Sequence, residues 1–410
     1  MKLARIAFRN IRRNRRRSLL SGTAIMIATL FITFAFSLIA GMLGDIESNI
    51  VRYVSGHVRI RHVEYDENEQ LNPLHLSVSE YEEVVRQMES EEEVAAAVPR
   101  TRFFTAIYRN GRTYAGMGLG VDFPREASVM RIQDAIEEGR LPQMGQREMV
   151  LSAGLAEELD LEVGERLTLL TKNKYLGMSG MTFTVTGIVR FLVAGFNESF
   201  FLVPIDTTAR FLKMSDEATE VLVVLNDSKR VDEFAEKATG ILAAMGRKNL
   251  SAQPWTRIGA SVGWMQLARS AYDVIALVFF ILASTVIVNT TMMVIFERMR
   301  EIGTVAAMGM TPREIVRLFF LEALYIGAIA AFVGVLLGIG ITIPLSKVGI
   351  DLTQPMQGVD LEINPVVYPR LNIRSTVFVF FYSTIIASLA SFIPSRRAAK
   401  IEPVEALRSV

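Results

Sequence analysis

The sequence has no cysteine and only three histidines, His57, His62 and His75. The first absence excludes disulfides, thiolate zinc sites, a cysteine nucleophile and a lipid-modified N-terminal cysteine. The second leaves a histidine-rich metal site short of ligands, and the three histidines lack metal-ligand spacing. No G-x-x-x-x-G-K-[ST] run occurs, so the sequence offers no phosphate cradle. An excess of one charge is lacking too: 44 Lys and Arg against 43 Asp and Glu give a net +1 over 410 residues. Half the residues are hydrophobic and 24 are phenylalanine, which fits neither a disordered chain nor a nucleic-acid-binding one.

Charge is missing altogether from four stretches: Ser18–Gly44, Val274–Phe296, Ala323–Ser346 and Ser375–Ser395. Roughly 20 apolar residues rising ~1.5 Å each span a hydrocarbon core, so all four read as transmembrane helices. The first run is longer than the ~7–15-residue core of a signal peptide, and Ser37-Leu38-Ile39-Ala40 is a weak cleavage pattern. It reads as an uncleaved anchor. The remaining charge sorts by side. Residues 1–17, 297–317 and 396–410 together carry sixteen basic and five acidic side chains, or +11. Residues 45–273 carry 25 basic and 34 acidic, or −9. The positive-inside bias therefore predicts cytoplasmic segments at 1–17, 297–322 and 396–410, an outer domain over 45–273 and an outer loop over 347–374.

The outer domain reads as α+β. Tyr53–His62 alternates as a half-buried strand does, Ser77–Ser90 has helical period, and Thr101–Arg109 is strand-like. Glu220–Leu225, Val231–Met245 and Leu250–Pro254 repeat the strand–helix–strand order. The sum is a split ferredoxin-like unit with a strand-rich insertion over about 111–205. Within the insertion, Lys172–Gly180 is a polar hairpin tip carrying Tyr175, Leu176 and Met178. Two readings stand for it, an ordinary flexible loop and a partner-docking tip. No catalytic constellation stands out.

The stretch after the second hydrophobic run is the most informative. A charged cluster, Glu297, Arg298, Arg300 and Glu301, is followed by Gly303 and Gly309. Thr311-Pro312-Arg313-Glu314 then carries an N-cap, a proline at N1 and a glutamate at N3, the pattern of a capping box. A short amphipathic helix is predicted there, with Ile315, Leu318 and Phe319 on its apolar side. Glu322 is expected near the cytoplasmic interface, beside Arg313 or Arg317. Gly334 and Gly338, with Gly327 seven residues earlier, predict close helix packing.

These residues resemble the FtsX-like permeases of ABC transporters. The likeness is carried by Phe296–Gly303 (F-E-R-x-R-E-I-G), by Glu322 and by Arg397–Arg408. The outer domain is similar to the MacB and LolC/LolE branch in Glu138-Gly139-Arg140, Glu148–Ser152, Leu161–Leu167 and Phe183–Ile188. The resemblance implies a second permease subunit, identical or homologous, and a separate cytoplasmic ATPase dimer. On that reading ATP and Mg belong to the ATPase, this chain is no enzyme and carries no cofactor, and the location is the bacterial inner membrane. It also implies that Glu297, Arg298, Arg300, Glu301, Gly303, Thr311, Pro312, Arg313 and Glu314 face the ATPase. MacB proteins carry a fused N-terminal ATPase and cell-division FtsX proteins a smaller outer domain. The expected type is therefore the lipoprotein-releasing LolC/LolE one, with Gly56–Ile60 similar to that branch.

That type implies a lipoprotein substrate, and a hook at Lys172–Gly180 that recruits a periplasmic carrier. Exposing acyl chains to water costs about 0.8 kcal/mol per CH₂, so chains must pass between apolar walls. Phe36, Ile39 and Met42 on the first helix are the wall candidates, with Trp264, Met265, Tyr272, Ile275 and Phe279 near the second. Two other functions fit the same family: MacB-like mechanical export of small molecules or peptides through a periplasmic adaptor, and a signalling permease controlling a periplasmic enzyme.

Overall fold

A computed structural model of the chain describes residues 2–13, 15–109, 111–191, 194–297, 299–351 and 366–398. From the N-terminus run α1 (Lys2–Arg13) and α2 (Arg15–Asn49), which closes in a π-helical turn over Ile50–Ser55. There follow β1 (Val58–His62), β2 (Val78–Ser79), α3 (Tyr81–Glu89), β3 (Val94–Arg109) and β4 (Arg112–Val121). Next come α4 (Phe123–Glu126), β5 (Ile136–Gly139), β6 (Glu148–Ser152), α5 (Ala153–Leu159), β7 (Arg166–Lys172) and β8 (Met178–Val189). Then α6 (Ala194–Ser199), β9 (Phe200–Pro204), α7 (Ile205–Leu212), β10 (Glu217–Ala218), β11 (Glu220–Leu225), α8 (Val231–Ala244) and β12 (Leu250–Pro254). The rest is α9 (Gly259–Glu297), α10 (Met299–Ala307), α11 (Pro312–Val348), β13 (Ile350–Asp351), β14 (Val366–Val367) and α12 (Ile373–Ala398). The described residues divide into a helical unit, 2–44 with 267–351 and 366–398, and an α+β unit, 45–266.

In the α+β unit, strands run β12-β1-β11-β3 with every neighbour antiparallel. With α3 and α8 as crossovers this is the split ferredoxin-like arrangement. The insertion does more than extend the sheet. β3 pairs β4, β4 pairs β9, β9 pairs β6, β6 pairs β8, β8 pairs β7, and β7 returns to β3. The ring is closed, so its strands leave no edge for a stray chain to pair with. Alternation fills it: β7 reads exposed-buried from Arg166 to Lys172, turning Leu167 and Leu169 inward. Phe103, Phe183 and Phe201 meet them, and Phe211 of α7 packs edge-on against Phe103 and Phe183. At 16 residues β3 is long enough to serve both the ring and the ferredoxin-like sheet.

Three expectations shift here. Tyr53–Ser55 is a helical turn rather than strand, because α2 runs straight into it. The helix expected from Ser77 starts at Tyr81: Val78 and Ser79 pair with β10, and Glu80 breaks the backbone at φ +50°. The region inserted between the two halves continues past 205 through α7.

The helical unit holds four helices long and apolar enough to cross a membrane, Ser18–Ser55, Gln266–Met293, Pro312–Val348 and Ile373–Arg396. Two begin well before their expected runs. α9 begins at Gly259, since Arg269 and Asp273 mark no helix break. The separate short helix expected over 311–320 is the opening of one 37-residue α11, because no Gly or Pro lies between Pro312 and Gly327 to end it. Small residues set the packing. A Cβ at Gly334 would meet the Met26 carbonyl oxygen at 2.5 Å, and one at Gly338 the Thr33 Cβ at 2.8 Å, so only glycine allows α2 this close to α11. The facing hydroxyls of Thr29, Thr33 and Ser37 donate to carbonyls one turn back, at 2.7, 2.8 and 2.9 Å. α1 is held on α11 by buried Ala7 and an edge-on contact of Phe8 with Tyr325 at 6.1 Å.

Buried charge fixes the α+β unit. Glu220 is fully buried at the start of β11; it accepts from Arg61 Nε at 2.8 Å, with Arg102 at 3.7 Å. Arg61 also reaches Asp66 and Glu69 and lies 4.4 Å over the Tyr65 ring. Burial alone would raise the Glu220 pKa, but Arg61, Arg102, Arg59 and Arg100 outweigh it and hold the carboxyl down at about 2. Burial likewise pushes the Tyr65 hydroxyl up to about 12. The folded Glu220 pKa lies below its ordinary 4.5, so its contribution is whole above pH 4.5 and is lost as pH falls toward 2. The expected loss is on the order of 3 kcal/mol. Thermal unfolding followed by tryptophan fluorescence between pH 7 and pH 2 checks this. Glu220→Gln should lower Tm at pH 7 and flatten its decline below pH 4.5.

Candidate functional site

The charged region after α9 folds as a capped hairpin. α10 ends in a Schellman arrangement: Met310 N–H donates to Val305 O at 3.3 Å and Gly309 N–H to Ala306 O at 3.0 Å. Gly309 sits at φ +94°, where a side chain would be strained. Two residues on, the Thr311 side chain accepts from Glu314 N–H at 3.4 Å, and Glu314 Oε2 accepts from Thr311 N–H at 3.0 Å. The capping box drawn from the sequence is therefore present. Ala306, Met310, Ile315, Val316 and Phe319 close the hairpin core. One helix is stopped and the next started within four residues, so the turn is rigid on both sides.

The predicted partner-facing residues are spread along this hairpin. Glu297 ends α9 and Arg300 lies in α10, their side chains outside those described, and Arg298 lies outside the described residues. Glu301 is half-buried and Gly303 buried, while Thr311, Pro312, Arg313 and Glu314 are exposed. Beside them is a groove that sequence reasoning missed. It has a volume of about 780 Å³ between the start of α11 and the end of α12. Val316, Phe320, Leu389 and Phe392 make its floor and Arg313, Arg317 and Arg396 its rim. The signal was hidden because its two walls lie some 70 residues apart in sequence. Glu322 is 3 % exposed, on the α11 face of Ile315, Leu318 and Phe319, while Arg313 and Arg317 are exposed.

The apolar wall candidates do not form one surface. Phe36 packs on Phe280 with ring centroids 5.1 Å apart, and Phe280 packs edge-on in turn against Tyr382 at 4.4 Å. That aromatic cluster joins α2, α9 and α12 at this point. Tyr272 is 8 % exposed and so is no part of an open wall. Ile275 and Phe279 are exposed, and Ile39 and Met42 half-buried. Trp264 and Met265 lie on α9 with side chains outside those described.

The tip between β7 and β8 is an ordered turn built on Asn173. Its buried carboxamide accepts from Tyr175 N–H at 3.0 Å and Gly177 N–H at 3.2 Å and donates to Ser179 at 3.0 Å. Lys174 is tied down by an ion pair to Glu217 at 2.5 Å. Leu176 is held at φ +62°, a left-handed conformation that a branched apolar residue rarely takes. The result projects Tyr175, Leu176 and Met178 at 73, 77 and 69 % exposure. Next to them is a cavity of about 630 Å³, lined in part by Leu71, His75, Phe104 and Leu170. Exposed apolar side chains on a strained, hydrogen-bonded turn suit a docking contact better than a loose loop does.

Several motif residues turn out to be scaffold. Arg140 pairs with Glu148 at 2.5 Å, joining two of the quoted segments, and Arg109 pairs with Glu165 of a third at 3.0 Å. His57 accepts the Leu225 N–H at Nδ1, 3.0 Å away, and burial lowers its pKa.

Comparison with known proteins agrees with this geometry. Residues 18–241 match the MacB-like periplasmic core domain, and residues 274–403 the FtsX-like permease C-terminal family. The lipoprotein-releasing system transmembrane protein LolC of Neisseria meningitidis is 22 % identical over 403 residues, 95 % of this chain and 92 % of the relative. The corresponding LolE of Haemophilus influenzae is 25 % identical over 321 residues, 75 % of this chain and 76 % of the relative. Among solved structures, the periplasmic region of MacB from Actinobacillus actinomycetemcomitans is 14 % identical, with a TM-score of 0.38 over 53 % of this chain and 97 % of that one. Four membrane-crossing helices and a core domain inserted after the first make this chain a member of the FtsX-like permeases of ABC transporters, of the type that carries a MacB-like periplasmic core domain.

Proposed function

We propose that this permease works with a separate ATPase to draw lipoproteins out of the bacterial inner membrane and pass them to a periplasmic carrier. The observation that carries this reading is the β7–β8 tip, where a rigid turn offers three apolar side chains to a partner. The relatives' printed role in lipoprotein release supports it. Both termini and the α10–α11 hairpin are cytoplasmic, following the +11 and −9 partition of charge. The hairpin and the arginine-rimmed groove beside it receive the ATPase, which holds ATP and Mg. A second permease subunit completes the membrane part. MacB-like export is the second reading, favoured by the core-domain match itself.

Orientation is tested by single cysteines in this cysteine-free chain. An impermeant maleimide should label Ser179→Cys and spare Met310→Cys, and the opposite pattern would reverse the topology.

For coupling, Thr311→Ala together with Pro312→Gly removes the α11 cap, worth about 1 kcal/mol of helix stability. Glu301→Lys reverses a charge in the hairpin. Both proteins should reach the membrane at normal level yet fail to stimulate the ATPase. Unchanged ATPase binding and turnover in both would show that the hairpin transmits nothing.

Substrate is tested by photo-crosslinkers at Met42, Ile275 and Phe279. The acylated N-terminus of a lipoprotein should be captured, with lower yield when ATP is added. Leu176→Gly relieves the left-handed strain, so Tm should not fall, but transfer to the carrier should drop several-fold. Adducts with phospholipid alone, and normal lipoprotein sorting in a depleted strain, would remove the lipoprotein reading and bring export forward.

A further inference from the structure

The helical unit carries a recess that the release reading does not use. It lies between α1, the first turns of α2 and the middle of α11, with a volume of about 560 Å³, within the ~300–1,000 Å³ of ligand-holding sites. Phe8, Leu19, Gly22, Met26, Ile329 and Val333 line it, and its walls are almost wholly apolar. The α2 and α11 walls belong to membrane-crossing stretches, so the recess opens into hydrocarbon. An empty recess there forfeits dispersion contacts on every wall, and an acyl chain is the nearest filler.

Charge selects the kind of lipid. Arg5, Arg9 and Arg13 follow one another at four-residue spacing along α1, on one exposed stripe beside the edge that bears Phe8. Among the described residues no carboxylate pairs with any of the three. Arginines on an interfacial helix attract anionic headgroups, at roughly a tenfold or smaller gain per charge. A second copy of this chain is a poor occupant. A two-fold contact would place the same basic segment, eight cations and no anion over residues 1–17, against itself.

We propose that this recess is a binding site for an anionic phospholipid, one acyl chain lying in the groove and the headgroup on Arg5, Arg9 and Arg13. The site goes beyond lipoprotein release and holds equally if the cargo is something else. Its occupant would fix α1 against α2 and α11.

The test uses the full-length chain in neutral detergent, stripped of lipid and titrated with phosphatidylglycerol or phosphatidylcholine of the same acyl composition. Native mass spectrometry reads the retained lipid. Phosphatidylglycerol should be retained roughly tenfold better or more. A Cβ at Gly22 would meet Ala330 and Ile326 only at 3.9 Å, ordinary contact, so Gly22→Leu fills the groove without forcing the helices apart. It should abolish the retained lipid while helical circular dichroism stays unchanged. Should Gly22→Leu fail to fold, Arg5→Gln, Arg9→Gln and Arg13→Gln combined touch no buried group. They should erase the preference for phosphatidylglycerol. Equal retention of the two lipids overturns the proposal, as does wild-type retention by either variant. So does an efficient disulfide between two chains carrying Leu19→Cys, since another copy would then cover the groove.

Discussion

One buried guanidinium ties the α+β unit together. Arg100, on β3, is fully buried and donates to both oxygens of Glu126 at 2.6 and 3.0 Å, and to the carbonyls of Tyr53 and Arg52 at 3.1 and 2.7 Å. Those carbonyls close the helical turn that continues α2, where unsatisfied C=O groups carry partial negative charge. The arginine thus caps the helical turn that continues α2 and fastens it to β3, the strand shared by the ring and the ferredoxin-like sheet. Two buried charges and two carbonyls are satisfied by one side chain. Removing either charge would strand the other in a medium where an unpaired ion costs about 3–5 kcal/mol. The chain enters the outer unit as helix and meets this clasp before any loop intervenes.

Much of the architecture was legible because its causes are local. The four uncharged runs, the β-α-β order on both sides of an insertion and the Thr311–Glu314 cap each depend on neighbours within a few residues. Glu220–Leu225 and Leu250–Pro254 came out at their sequence bounds for the same reason. What stayed hidden depends on distant partners. The closed ring needs β7 to find β3 some 60 residues back, and nothing in the alternation of Arg166–Lys172 distinguishes a ring from an open sheet. Tyr53–Ser55 alternates like a strand, yet the helix before it and the Arg100 clasp hold it helical. Tertiary contact overrode pattern there.

The candidate sites divide in the same way. Exposed Tyr175, Leu176 and Met178 were readable, since a polar, glycine-containing hairpin between two strands must surface them. Their rigidity was not, because it rests on Asn173 folding back on the turn. The apolar wall was legible only as composition: phenylalanine content says that a helix is apolar and not which rings meet. Phe36 meets Phe280, and Glu322 is buried on the α11 face of Ile315 and Phe319.

The helical unit is joined in a way that suits movement. The hydroxyls of Thr29, Thr33, Ser37, Thr342, Thr384 and Ser388 all donate within their own helices. These six hydroxyls are therefore satisfied before any helix meets another. Ser284 with Tyr382 is an exception that bonds across helices. Contact between α2 and α11 rests on close approach at Gly334 and Gly338, which is dispersion rather than hydrogen bonding. Sliding or tilting one helix then loses packing by degrees and leaves the Thr29, Thr33 and Ser37 hydroxyls satisfied. Two ends are the opposite: the Schellman–capping-box turn starts α11 stiffly, and the Arg100 clasp holds the turn that continues α2. Stiff ends on helices that shift at low polar cost are what the proposed drive by a separate ATPase would require.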